Sequence, residues 1–105
     1  DLPIAYDWES WNKLGGLEMS INDLNACAEA FLSTVEKAGY NGMLYSSKYY
    51  LEKTLWRLDM TKYTVWLAHY VSQTSYAGSY SVWQCSCTGK IPGIKGDVDI
   101  NVMYY

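Results

Sequence analysis

Apolar positions along this chain fall into two rhythms, short continuous runs that suit buried strands and a spacing of three to four residues that suits a helix. Leu2-Pro3-Ile4-Ala5-Tyr6 is of the first kind and predicts a strand. Leu24, Cys27, Ala28, Phe31 and Val35 then recur at helical spacing, with Asn25, Glu29, Glu36 and Lys37 on the opposite face. Ser20, with Asp23 three residues on, forms a variant capping box at the start of that helix, and Gly39 suits its C-terminal cap. Gly42-Met43-Leu44-Tyr45-Ser46 predicts a second strand. A short tyrosine-rich helix from Lys48 to about Leu55 and an irregular stretch from Trp56 to Lys62 follow. Thr64 to Tyr70, Ser81 to Cys85 and Val98 to Val102 complete the set as strands, by their β-branched and aromatic content.

That order makes a β-α-β unit followed by strands whose connections shorten. Between Tyr70 and Ser81, and between Cys87 and Val98, lie about ten residues rich in Gly, Ser and Thr. This is scant room for the crossover helix of a parallel connection. The expected class is α/β, a barrel-like β-α pattern giving way to nearly bare strands.

Composition narrows the function classes. The chain has 105 residues, 50% hydrophobic and 18% charged, with two prolines, and reads as one globular unit. A net charge of -3 gives no footprint for nucleic acid, which needs clustered Lys and Arg. No apolar run approaches the roughly 18 to 20 residues that span a bilayer, so no membrane partner is expected. Eleven Tyr and five Trp, against a single Phe, are more amphipathic rings than a core requires. Some of them are expected to line a wet groove, the alternative being Tyr at the edges of the core. Cys85 and Cys87 share a face of a strand but are held too far apart for an unstrained bridge, so all three cysteines read as free thiols. With no Cys-x-x-Cys spacing and one histidine, His69, neither a metal nor a cofactor is expected.

Chemistry concentrates in the carboxylates. Asp7 and Glu9, at i and i+2 beyond an apolar strand, fall on one face at a strand end, where β-α loops build active sites. Close carboxylates cannot both ionise cheaply, so one of such a pair can keep a proton and act as a general acid. The alternative is a solvated acidic turn. Asp99 adds a third carboxylate; it shares a face with Asn101 while Val98, Ile100 and Val102 share the other. Either this is a site-facing polar strand or an edge strand with its polar side in water. His69, among Trp66, Leu67 and Tyr70, reads as a satisfied histidine outside the mechanism.

Seven segments in order carry a resemblance: Leu2-Pro3-x-x-x-Asp7-x-Glu9, Phe31 followed by Gly39-Tyr40, Leu44-Tyr45-Ser46, Trp66-Leu67-Ala68-x-Tyr70, Trp83-Gln84, Gly89-Lys90-Ile91-Pro92-Gly93-Ile94 and Val98-Asp99-Ile100-Asn101. Together they resemble the second half of the glycoside hydrolase family 25 lysozymes. The resemblance implies the C-terminal half of an irregular TIM-like β/α barrel, with late strands that have little helix between them. It also implies cleavage of the β-1,4 bond between N-acetylmuramic acid and N-acetylglucosamine in peptidoglycan, outside the membrane, by a secreted or phage-released protein. Glu9 matches the family's general acid, Asp7 its acidic neighbour, and Asp99 a further acidic residue facing the cleft. Tyr45, Trp66, Tyr70, Trp83 and Gln84 match positions near the sugar groove.

Length is where the chain departs from that pattern. A whole β/α barrel needs roughly 200 residues or more, so residues 1–105 are expected to be one segment of a longer catalytic domain, starting at the family's fourth strand. The implied partners are peptidoglycan glycan strands and the complementary N-terminal half of the barrel. A non-catalytic wall-binding or scaffold fragment is the competing expectation, and a barrel hydrolase acting on chitin-like polymers is a third.

Overall fold

The computed structural model describes residues 2–8, 20–53 and 56–104. Among them run β1 (Ile4–Asp7), α1 (Ile21–Lys37), β2 (Gly42–Ser47), α2 (Lys48–Glu52), β3 (Thr64–Ala68), β4 (Val82–Gly89) and β5 (Val98–Met103). The five strands form one sheet in chain order, parallel from β1 through β4 and antiparallel between β4 and β5. The fold is therefore mixed α/β. Leu2, Pro3 and Ala5 at one edge of the sheet and Asn101 and Met103 at the other line a single apolar cavity of about 250 Å³ with Met43, Trp66 and Val82. Only a curled sheet brings its two edge strands to one cavity, so the sheet is an open half-barrel.

Helix α1 starts as its capping pattern dictates: the Ser20 hydroxyl accepts from the Asp23 backbone N–H at 3.0 Å. It ends at Ala38, and Gly39 follows with φ of +91°, a left-handed conformation that glycine adopts without a Cβ penalty. The buried stripe differs from the sequence expectation. Leu24, Asn25, Ala28 and Leu32 are buried, while Cys27 is exposed and Phe31 is 39% exposed. The helix is thus rotated toward Leu32, and the polar Asn25 goes inside. Its burial is compensated, because its Nδ2 donates to Ile21 O at 2.8 Å and its Oδ1 accepts from Arg57 N at 2.6 Å. The irregular segment after α2 is held to α1 by this side chain.

The helix-side core is built on β2. Leu44 is wholly buried and clusters with Ala28 of α1 and with Trp56, while Trp56 Nε1 donates to Ser46 Oγ at 2.7 Å. Tyr6 of β1 packs at 5.3 Å from the Phe31 ring and edge-on to Trp56 at 6.2 Å. At Gly42 the packing is tight: a Cβ there would stand 3.0 Å from Leu32 Cδ2 of α1 and 3.2 Å from Tyr63 Cδ1.

The late strands carry the expected bare connections in an unexpected arrangement. Residues 69–81 contain no helix, yet β3 and β4 pair in parallel. An extended crossover suffices because it is tied down along its length. His69 N donates to Gln84 O at 3.1 Å, Ser81 N to Val65 O at 2.9 Å, and Trp83 Nε1 to His69 O at 2.8 Å. Strand β4 runs on to Gly89, beyond Cys85, with register shifts on either side of Ser86 where it pairs with β5. Cys27, Cys85 and Cys87 are free thiols. Among the described residues, no helix is long and apolar enough to cross a membrane.

Candidate functional site: a carboxylate-flanked cleft at the strand ends

Register places the site. Asp7, the last residue of β1, pairs with Tyr45 of β2, Tyr45 pairs with Trp66 of β3, and Ala68 pairs with Gln84 of β4. The C-terminal parts of β1, β2 and β3 thus lie level with Gln84 near the start of β4, which runs on past them. Because β5 runs the other way, Asp99 lies two residues before Asn101, the partner of Gln84, and it lines the same cleft as Asp7 although the two stand on opposite edge strands of the sheet. Ala5, Asp7, Tyr45, Trp66, Tyr70, Gln84 and Asp99 line one cleft of about 380 Å³.

Alternation along each strand selects who enters. In β2, Leu44 and Ser46 turn to the helices and Tyr45 turns to the cleft. In β4, Gln84 faces the cleft, and its neighbour Trp83 faces a separate groove with Cys85, Cys87 and Val71. Trp83 is therefore not among the cleft residues, and its indole anchors the crossover instead. His69 is likewise engaged outside the cleft, its Nδ1 lying 2.8 Å from Thr74 Oγ1.

Two side-chain networks hold cleft residues in place. Gln84 Oε1 accepts from the hydroxyls of Tyr45 and Tyr70, the latter at 2.8 Å. Trp66 Nε1 donates to Asn101 Oδ1 at 2.7 Å, and the Trp66 ring meets Tyr45 edge-on at 5.0 Å between centroids. Asn101, which shares the polar strand face with Asp99, lines the apolar cavity with Trp66 and meets the cleft only through that indole. Asp7 and Asp99 are exposed, while Tyr45 and Gln84 are buried. Glu9, the residue expected to supply the proton, lies outside the described residues. Among the described residues no group of three or more His, Cys, Asp or Glu side chains could hold a metal ion.

The cleft of the curled sheet thus combines two exposed carboxylates, aromatic rings and an amide side chain. The chain belongs to the glycosyl hydrolases family 25, whose model matches residues 1–94, a span that includes β1 to β4 and stops short of β5. It is 30% identical over 105 residues to YegX of Escherichia coli O157:H7, a protein described as uncharacterized, covering 97% of this chain and 36% of that one. Among solved structures it is similar to the CTP1L endolysin, whose crystal structure is described as revealing how its activity is regulated by a secondary translation product. That match has a TM-score of 0.57 and 26% identity, over 75% of this chain and 29% of the endolysin chain. The chain thus spans about a third of the length of the relatives it matches.

Proposed function

We propose that this chain is the C-terminal part of a peptidoglycan hydrolase, an N-acetylmuramidase cleaving the β-1,4 bond between N-acetylmuramic acid and N-acetylglucosamine. The observation that carries the reading is the joint presence of Asp7 and Asp99 on one aromatic-lined cleft, in a chain of glycosyl hydrolases family 25. In this reading Glu9, two residues beyond Asp7, donates the proton to the leaving sugar oxygen. Asp7 and Asp99 stabilise positive charge developing at the anomeric centre or hold the 2-acetamido group in place. Trp66 and Tyr70 offer ring faces to the sugars, and the amides bind their polar substituents. The remaining strands of a TIM-like barrel, supplied by the rest of the protein, close the cleft. The substrate places the site of action at the bacterial cell wall.

Digestion of purified cell walls tests this, with the chain joined to a complementary N-terminal half. Loss of turbidity with release of reducing ends is expected. Glu9→Gln keeps the shape of the side chain and removes the acid, so turnover should fall on the order of 10²- to 10⁴-fold with wall binding retained. Wall binding by the joined protein without any release of reducing ends would instead make the chain a binding module. Equal digestion of chitin oligomers would widen the substrate class beyond muramic acid.

A further inference from the structure

The face of β4 turned away from the cleft carries two nucleophiles that the proposed reaction does not use. Cys85 and Cys87 stand two residues apart and line one groove of about 610 Å³ together with Tyr70, Val71, Trp83 and Val102. Cys87 is exposed and Cys85 is half-buried, its thiol donating to Ile100 O at 3.5 Å, a weak bond that is readily given up. Neither cysteine has a register partner on β5, because the pairing shifts on both sides of Ser86 between them. Residues i and i+2 of a strand share a face at about 6.6 Å, two rises of roughly 3.3 Å each. A disulfide needs Cβ atoms about 3.5–4.5 Å apart, so the strand keeps the pair as thiols. A single metal ion asks for less. Two metal–sulfur bonds of about 2.3 Å span up to about 4.6 Å between sulfurs, and each sulfur swings about χ1 toward the other. The spacing that opposes the bridge therefore permits a chelate.

We propose that Cys85 and Cys87 form a two-thiolate site for a soft, thiophilic cation of low coordination number, Cu(I) in particular. Ligand type and ligand count select the ion. Thiolates favour Cu(I), zinc and iron–sulfur centres over hard cations, and Ca²⁺ or Mg²⁺ would need carboxylate and carbonyl oxygens. No carboxylate lines this groove among the described residues. Structural zinc and iron–sulfur centres take four protein ligands, whereas among the described residues no group of three or more His, Cys, Asp or Glu side chains could hold a metal ion. A cation satisfied by two sulfurs is what remains. Binding involves no redox step: both thiols ionise and release two protons, two sulfur–metal bonds form, and the Cu(I) centre is left with one net negative charge. The groove shares only Tyr70 with the carboxylate-flanked cleft. This site is therefore independent of the glycan reading and stands whether or not the cleft cleaves cell walls.

The test uses the chain joined to a complementary N-terminal half that carries no cysteine, so that the half-barrel is closed, with Cys27→Ser to remove the third thiol. Cu(I) is titrated without oxygen in competition with bicinchoninate, whose coloured copper complex loses absorbance as the protein takes the ion. One equivalent should transfer, and tryptophan emission should be quenched because Trp83 lines the same groove. Cys87→Ser and Cys85→Ser should each weaken binding on the order of 10²- to 10⁴-fold, the scale lost when a second contact is no longer intramolecular. Far-UV circular dichroism checks that each variant is folded, and the exposed position of Cys87 makes its replacement the safer of the two. If the Cys87→Ser protein holds copper as tightly as its parent, the thiols act singly and the assignment is wrong. Failure of the parent to take copper from the competitor, or undiminished uptake when both cysteines are replaced, would overturn it as well.

Discussion

At the scale of single residues, the cleft separates charge from scaffold. Asp7 and Asp99 are exposed at its walls, and no described residue forms an ion pair with either. In the proposed function their carboxylates would stabilise a cationic transition state. Asp7→Asn and Asp99→Asn should each lower kcat on cell walls by about 10²-fold, the scale of removing one electrostatic stabiliser, measured as reducing ends released by the joined protein. Other residues tie stability to pH. Burial raises the Tyr6, Tyr63 and Tyr76 phenols above the ordinary value of 10.0, helped respectively by negative charge at Cys27, by the hydrogen bond to Glu29, and by Glu52. The folded chain then holds these protons at a pH where the unfolded chain has released them. Stability from this source is fully present below pH 10.0 and is lost as pH rises through the raised values. Urea midpoints compared at pH 8 and at pH 10.5 should fall with rising pH, with tyrosinate absorbance appearing as the chain unfolds. A midpoint that does not change would remove burial of these phenols as a factor.

At the scale of elements, β2 is the strand on which the two sides of the molecule meet. Its outward residues anchor α1 and the Trp56 segment, and its inward Tyr45 reaches the cleft. Leu44→Ala would open a cavity between α1 and Trp56 and should cost about 2–5 kcal/mol. Asn25→Ala removes the acceptor of the Arg57 N–H and should cost about 1–3 kcal/mol, together with a loosening of the Trp56 environment. Denaturant unfolding followed by tryptophan fluorescence reads both quantities. The spectrum of folded Asn25→Ala should move to longer wavelength, and an unshifted spectrum would mean that Trp56 is held without this tie.

For the whole molecule, the sheet is open at both edges. Among the described residues, strand β1 pairs only with β2 and β5 only with β4, so there each leaves one side of its backbone ladder unpaired. Apolar side chains accompany these edges: Leu2 is 70% exposed, Ile4 38% and Met103 41%. Exposed backbone and apolar surface at the same edges favour association. The isolated chain should therefore sediment as a concentration-dependent mixture and bind a hydrophobic dye, and covalent addition of a complementary N-terminal half should suppress both. A monomer at high concentration that unfolds cooperatively and leaves the dye unbound would show that the open edges are adequately covered.

The order and type of the elements were legible from local pattern, because strand alternation, the Ser20 cap and the Gly39 terminator act over a few residues. The membership of the cleft was partly legible for the same reason. A period of two places Tyr45 opposite Leu44, and Asp99 beside Asn101, whatever the sheet does next. Tertiary structure alone decided the rest. The direction of β5 and the curl of the sheet bring Asp99 to the cleft that Asp7 lines, and both depend on contacts between strands far apart in the chain. The face that α1 buries was set by Leu32 and by the Arg57 backbone needing an acceptor, so Asn25 went inward against its polarity. Neighbouring residues such as Trp83 and Gln84 carry equal aromatic and polar promise in the sequence. Only the assembled sheet, with a hydroxyl arriving from β2 and another from beyond β3, determined that Gln84 would look into the cleft and Trp83 away from it.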